Sequence, residues 1–109
     1  MLFRSQVKIP TQAENPEQIV NAFEEAIKPE THLISFPHIV SETGTILPAK
    51  KICKLAQEHG IISIIDGAQA TGHIPIDVKN IICDAYYSSP HKWLMAPAGN
   101  RILDRKSVV

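Results

Sequence analysis

The chain has 109 residues, 44% of them hydrophobic and 20% charged, which excludes a disordered chain and fits one small globular domain. Eleven basic residues balance eleven acidic ones, so no net field favours nucleic acid or an anionic membrane. No segment approaches the roughly 20 apolar residues of a bilayer span, and the opening MLFRSQVKIP has no apolar core long enough for a signal peptide.

Residues 3–9 predict a short strand closed by Pro10. Asn15-Pro16-Glu17-Gln18 reads as a helix start, with Asn15 as the cap, Pro16 in the first helical position and an acid in the first turn. Ile19, Phe23, Ala26 and Ile27 repeat at helical spacing and Pro29 ends the pattern. His32 to Ile39 predicts an apolar strand whose regular pairing stops near Pro37. A loop with Gly44 leads to a second helix over about residues 48–59, opened by Pro48, with Ile52, Leu55 and Ala56 inward and Gly60 as its C-terminal cap.

The β-branched run Ile61-Ile62-Ser63-Ile64-Ile65 predicts a parallel strand covered on both faces. A helical turn over Asp77–Ile82, a strand over Cys83–Ser89 and a last strand over Asn100–Asp104 complete the order. This βαβαβ alternation defines an α/β fold, a mainly parallel sheet with flanking helices and right-handed crossovers. Cys53 and Cys83 lie outside any CxxC or metal-ligand spacing, and the five histidines have no metal-like spacing either. The two cysteines read as reduced thiols of a cytoplasmic protein, and no metal site is expected.

In an open parallel sheet, ligands sit beyond the carboxyl ends of the strands. Asp66 ends one strand, and Ser89, His91 and Lys92 follow the next. If those strands pair, their tips lie roughly 5 Å apart, and a pyridine-type ring fits between Asp66 and Lys92. An ionised Asp66 would keep the ring nitrogen protonated, and Gln69 would donate to a phenolate oxygen on the same ring. Lys92 would bond to an aldehyde once its amine is deprotonated, which requires lowering its pKa from about 10.4. Ser89 and His91 would reach a phosphate. Each residue also has a plain reading: Asp66 as a turn residue before Gly67, Lys92 as a solvated lysine, His91 as a surface side chain. His38, Ser41, Thr43 and Gly44 mark a further strand-end loop, either a simple turn or a cover over the ligand. No GxGxxG, P-loop or GxSxG is present, which disfavours a generic nucleotide-binding domain.

From about Val7 to Gly99 the chain resembles class V pyridoxal-phosphate enzymes, the aminotransferase-like group that includes cysteine desulfurases and isopenicillin-N epimerase-like proteins. The resemblance rests on His38…Thr43-Gly44-Thr45-Ile46-Leu47-Pro48, Asp66-Gly67-Ala68-Gln69-Ala70, Cys83-Asp84-Ala85-Tyr86 and Ser89-Pro90-His91-Lys92. It implies that Lys92 is the Schiff-base lysine, Asp66 the partner of the pyridine nitrogen and Gln69 the residue near the ring oxygen. It places Ser89 and His91 by the phosphate of pyridoxal 5'-phosphate.

The sequence departs from the family pattern at Pro90, where a small Gly or Ala is usual, and at Ser41, where cysteine desulfurases carry asparagine. It departs again at Arg101 and Asp104, charges in what is otherwise an apolar core strand. The resemblance further implies a single incomplete domain over residues 1–109, the central part of a fold-type I large domain without the small domain. The upstream phosphate-binding helix start and the downstream substrate-clamping arginine have no counterpart here. The parent would be a homodimer acting on an amino acid by transamination or epimerisation, with little activity left in the fragment. The alternatives are a cysteine desulfurase-type carbon–sulfur lyase fragment and a non-catalytic α/β remnant.

Overall fold

The computed structural model describes residues 4–10 and 13–105. Four strands form one sheet in the order β1-β2-β3-β4: β1 (Leu33–Pro37), β2 (Ile62–Asp66), β3 (Ala85–Ser88) and β4 (Ile102–Arg105). β1, β2 and β3 run parallel and β4 pairs antiparallel with β3. The connections carry α1 (Pro16–Ala26) before β1, α2 (Ala49–Glu58) and the short α3 (Val78–Ile81). This is the mainly parallel α/β sheet with flanking helices that the alternation predicts.

Local signals set the helix ends. The Asn15 side chain accepts a hydrogen bond from the Gln18 amide at 3.3 Å, and Pro16 occupies the first turn. At the end of α2, Gly60 takes φ +66° and its amide donates to Gln57, while the Ile61 amide donates to Ala56. That pair of bonds is a Schellman closure, in which glycine supplies the left-handed residue without a Cβ clash. Asp77 caps α3 through the Asn80 amide at 3.1 Å.

Two expectations fail. Residues 4–10 form no strand; residue 3 lies outside the described residues. Val7 and Ile9 instead pack, half-buried, on the hydrophobic core as irregular chain. A strand exists only where a neighbour accepts its hydrogen bonds, and alternation in one segment cannot supply that neighbour.

The β2 run is also covered on one face alone among the described residues. Ile34, Phe36, Ser63, Ile65 and Tyr86 point toward the helices and are buried. Phe23 of α1 meets Phe36 edge-on, with ring centroids 5.7 Å apart. On the opposite face Leu33, Ile62, Tyr87 and Leu103 are exposed by 50%, 51%, 38% and 66%. Leu33 pairs with Ile62, and Tyr87 with Leu103, so these side chains form contiguous apolar rows. Parallel strands ordinarily carry helices on both faces, and the three helices among the described residues serve the same one.

Arg101 and Asp104 are exposed, so the desolvation cost of charges in a core strand does not arise. No helix among the described residues is long and apolar enough to cross a membrane.

Candidate functional site

β2 and β3 pair directly, with Asp66 opposite Tyr87, so the segments after both strands emerge side by side at one sheet edge. Two backbone bonds tie the tips together: the His38 amide donates to the Asp66 carbonyl at 2.8 Å and the Gly67 amide to the Tyr87 carbonyl at 2.7 Å. Asp66 Oδ1 accepts the Ala68 amide at 2.9 Å. The turn-residue reading of Asp66 is thus correct as far as it goes, and one carboxylate oxygen orders the turn that presents Gln69. Tyr87 lies beside this carboxylate. Burial, and after it the Asp66 charge, pushes the Tyr87 phenol above its ordinary pKa.

Beneath the turn sits a buried polar pair that sequence reasoning missed. His38 Nδ1 and the Tyr86 hydroxyl are 2.8 Å apart and both side chains are buried. Burial lowers the His38 pKa below 6.5 and pushes the Tyr86 phenol up to about 12. His38 thus braces the sheet from the helix side. Ser41, Thr43 and Gly44 are exposed in a hairpin-like excursion, where the Val40 amide donates to Thr45 at 2.9 Å and Gly44 takes φ +72°.

His38 also makes folding stability depend on pH. Its folded pKa is depressed below the unfolded value of 6.5, so the unfolded chain binds more protons in that range. The contribution is complete above 6.5 and is lost as pH falls through the folded pKa. Urea midpoints measured from pH 7.5 to pH 5 should fall with pH in the wild type and flatten over that window in His38→Asn.

Past β3 the chain makes two turns around the candidate lysine. The Lys92 amide donates to the Ser89 carbonyl at 3.2 Å, with Pro90 in the second turn position, and the Met95 amide donates to the Lys92 carbonyl at 3.1 Å. Ser89 is half-buried, whereas His91 and Lys92 are exposed. Pro90 fits its turn, and its carbonyl accepts the Ala96 amide at 3.0 Å.

Trp93 then reaches back to the preceding turn: its indole N–H donates to Gln69 Oε1 at 3.1 Å and its ring stacks on His73 at 4.1 Å. The Asp66 turn and the Lys92 loop are one docked unit. Nothing in the sequence signalled this contact except the adjacency of Trp93 to Lys92. His73 is exposed and serves as the stacking platform.

Both thiols are buried, and burial pushes Cys53 up to about 11 and Cys83 above its ordinary value. Neither is a ready nucleophile. A cleft of about 510 Å³ lies between α2 and the segment around α3, lined in part by His38, Lys50, Lys51 and Asp77. None of Asp66, Gln69, Ser89, His91 and Lys92 lines it.

A mainly parallel sheet with chemistry-bearing residues at the ends of adjacent strands defines a class of α/β protein. Comparison with known proteins gives the family. Residues 4–107 match the aminotransferase class-V family, and the chain belongs to it. Isopenicillin N epimerase of Amycolatopsis lactamdurans is 44% identical over 85 residues, covering 78% of this chain and 21% of that protein. A cysteine desulfurase of Escherichia coli is 39% identical over 87 residues, 80% of this chain and 20% of that one. The crystal structure of an Escherichia coli cysteine desulfurase superposes with a TM-score of 0.74 at 29% identity, covering 80% of this chain and 22% of the other. The chain thus spans about a fifth of the length of the proteins it matches.

Proposed function

We propose that this chain is the cofactor-anchoring part of a pyridoxal 5'-phosphate-dependent enzyme that acts on an amino acid by transamination or epimerisation. The observation that carries the reading is the docking of the Lys92 loop onto the Asp66–Gln69 turn at the ends of two adjacent parallel strands. The donor set suits the group: a carboxylate for a protonated ring nitrogen, an amide for a phenolate, a hydroxyl and an imidazole for a phosphate, and an amine for an aldehyde. When bound, the cofactor supplies an electron sink for the bonds around an amino acid's α-carbon.

The chain's own residues divide the remaining work. Asp66 would hold a proton on the ring nitrogen by opposing its charge, and its Oδ1 bond to Ala68 keeps the carboxylate from rotating. Gln69 donates from its amide, and Ser89 and His91 bind phosphate oxygens. Lys92 would hold the cofactor through its amine and would move protons at the substrate α-carbon. That amine works only when neutral, which requires that water be kept from it. In the whole protein, which by this reading is a homodimer, further segments exclude water from it.

A cysteine desulfurase-type reaction is the second reading, favoured by the similarity to the Escherichia coli enzyme. Cys53 and Cys83 do not supply its thiolate, because both are buried with raised pKa values.

Titration with pyridoxal 5'-phosphate, followed by visible absorbance and by mass spectrometry after borohydride reduction, tests the main reading. The wild type should give a saturable visible band and a covalent adduct on Lys92, and Lys92→Ala should lose both. A Lys92→Ala variant with an undiminished band would sink the assignment. Absence of saturable binding by a folded wild-type chain would support the non-catalytic remnant instead.

A further inference from the structure

The Trp93–Gln69 contact has a chemical consequence for the Gln69 amide. An indole N–H is a donor only, so the group facing it must be the amide oxygen and not the nitrogen. Once that oxygen is committed at 3.1 Å, the amide plane has one orientation and its NH2 is the group's remaining polar function. Among the described residues that NH2 makes no hydrogen bond. Without the indole, the amide would turn freely and present an acceptor as readily as a donor.

Trp93 is itself held from two sides. Its ring stacks on His73 at 4.1 Å with 21° between the planes, and His73 Nδ1 lies 3.2 Å from the Gln69 carbonyl. That carbonyl accepts only, so Nδ1 carries a proton and the imidazole is fixed as a platform. Next along the chain, Leu94 presses on Gly72, where even a Cβ would meet the leucine Cδ2 at 2.8 Å. These contacts, with the Gln69 bond, set the position of the indole beside the Lys92 loop.

We infer that Trp93 is a positioning residue: its indole N–H takes the Gln69 oxygen so that the Gln69 NH2 is presented as a donor to the anionic ring oxygen of the cofactor. This rests on the pyridoxal-phosphate reading above and extends it to a residue that would act through Gln69. It also sets the donor and the Lys92 amine in one frame, since Trp93 adjoins Lys92 in the chain.

Two measurements on the 109-residue chain test the inference. The chain has a single tryptophan, so its nuclear magnetic resonance spectrum contains one indole N–H signal. Without any ligand, that proton should exchange more slowly than in free indole. Its resonance should move in Gln69→Ala and stay near the wild-type position in Gln69→Glu, which can still accept. The second measurement is titration with pyridoxal 5'-phosphate. Trp93→Phe keeps a stacking ring but loses the donor, and it should weaken binding by about 2- to 10-fold, the worth of one neutral hydrogen bond.

In the Gln69→Ala background the same Trp93→Phe change should have no further effect. Gln69→Glu should bind more weakly despite its intact indole signal, because it has no amide proton to donate. An indole resonance indifferent to Gln69→Ala overturns the inference alone, even beside an intact Lys92-dependent band. Equal Trp93→Phe losses in both backgrounds overturn it as well, since a merely structural tryptophan would behave so. A coupled indole in a chain with no Lys92-dependent band overturns the cofactor reading, and this use of Gln69 with it.

Discussion

Gly67→Ala is expected to destabilise the fold by about 3 kcal/mol or more. A Cβ at residue 67 would lie far inside contact distance of Cε1, Cζ and Oη of Tyr86. The tyrosine has little room to yield. Its hydroxyl is bonded to His38 Nδ1 at 2.8 Å, its ring meets the His38 ring edge-on at 5.8 Å, and it is 5% exposed. Relieving the clash means moving the ring and breaking the buried pair, or lifting the turn and losing the Gly67–Tyr87 backbone bond. Overpacking of this kind costs about 1–3 kcal/mol, and each bond lost adds about 1 kcal/mol.

Urea unfolding followed by circular dichroism measures the change. The Tyr86→Val background separates the cause: with the ring gone, Gly67→Ala should cost far less than in the wild type. Equal cost in both backgrounds would mean that Gly67 is required for its backbone and not for space. The glycine of the Asp-Gly-Ala-Gln run therefore lets the strand tip lie on the tyrosine, so the Asp66 turn sits where the His38–Tyr86 pair holds it.

Ile65→Ala should cost about 2–5 kcal/mol, whereas Ile62→Ala on the same strand should cost under about 1 kcal/mol. Ile65 is fully buried between the sheet and the helices, and truncating it leaves a cavity that the central strand cannot collapse around. Ile62 is 51% exposed on the opposite face and keeps much of its contact with water whether folded or not. Losses of the larger size approach the whole stability of a small domain, so Ile65→Ala should unfold at markedly lower urea. If Ile62→Ala were equally costly, the outer face would be covered in solution by something other than this chain's helices. Sedimentation of the wild type then tells whether a second copy is the cover.

Both predictions bear on what sequence reading could reach. The caps of α1 and the Gly60 end of α2 were legible because they depend on residues within a few positions of each other. So was the succession of strands and helices along the chain, since apolar runs and breakers alternate. The strand expected at residues 3–9 was not, because pairing is decided by a distant partner. The two-sided cover expected for β2 failed for a similar reason: a hydrophobic run says that both faces avoid water, not that this chain carries the helices to cover them.

The site divides along the same line. Asp66, Gln69, Ser89, His91 and Lys92 were found as residue types in order, and the parallel pairing of β2 with β3 brings their segments to one edge. Their orientation was hidden. His38 and Tyr86 are 48 residues apart and Gln69 and Trp93 are 24 apart, and neither pair has a local spacing that marks it. By itself the sequence determined the elements, their breaks and the chemistry available at the strand ends, because backbone propensity and side-chain type act locally. Only the tertiary structure decided which face of the sheet is bare, that His38 braces the sheet from behind, and that Trp93 holds the amide of Gln69. Those depend on close packing and hydrogen bonds between segments whose separation along the chain carries no periodic signal.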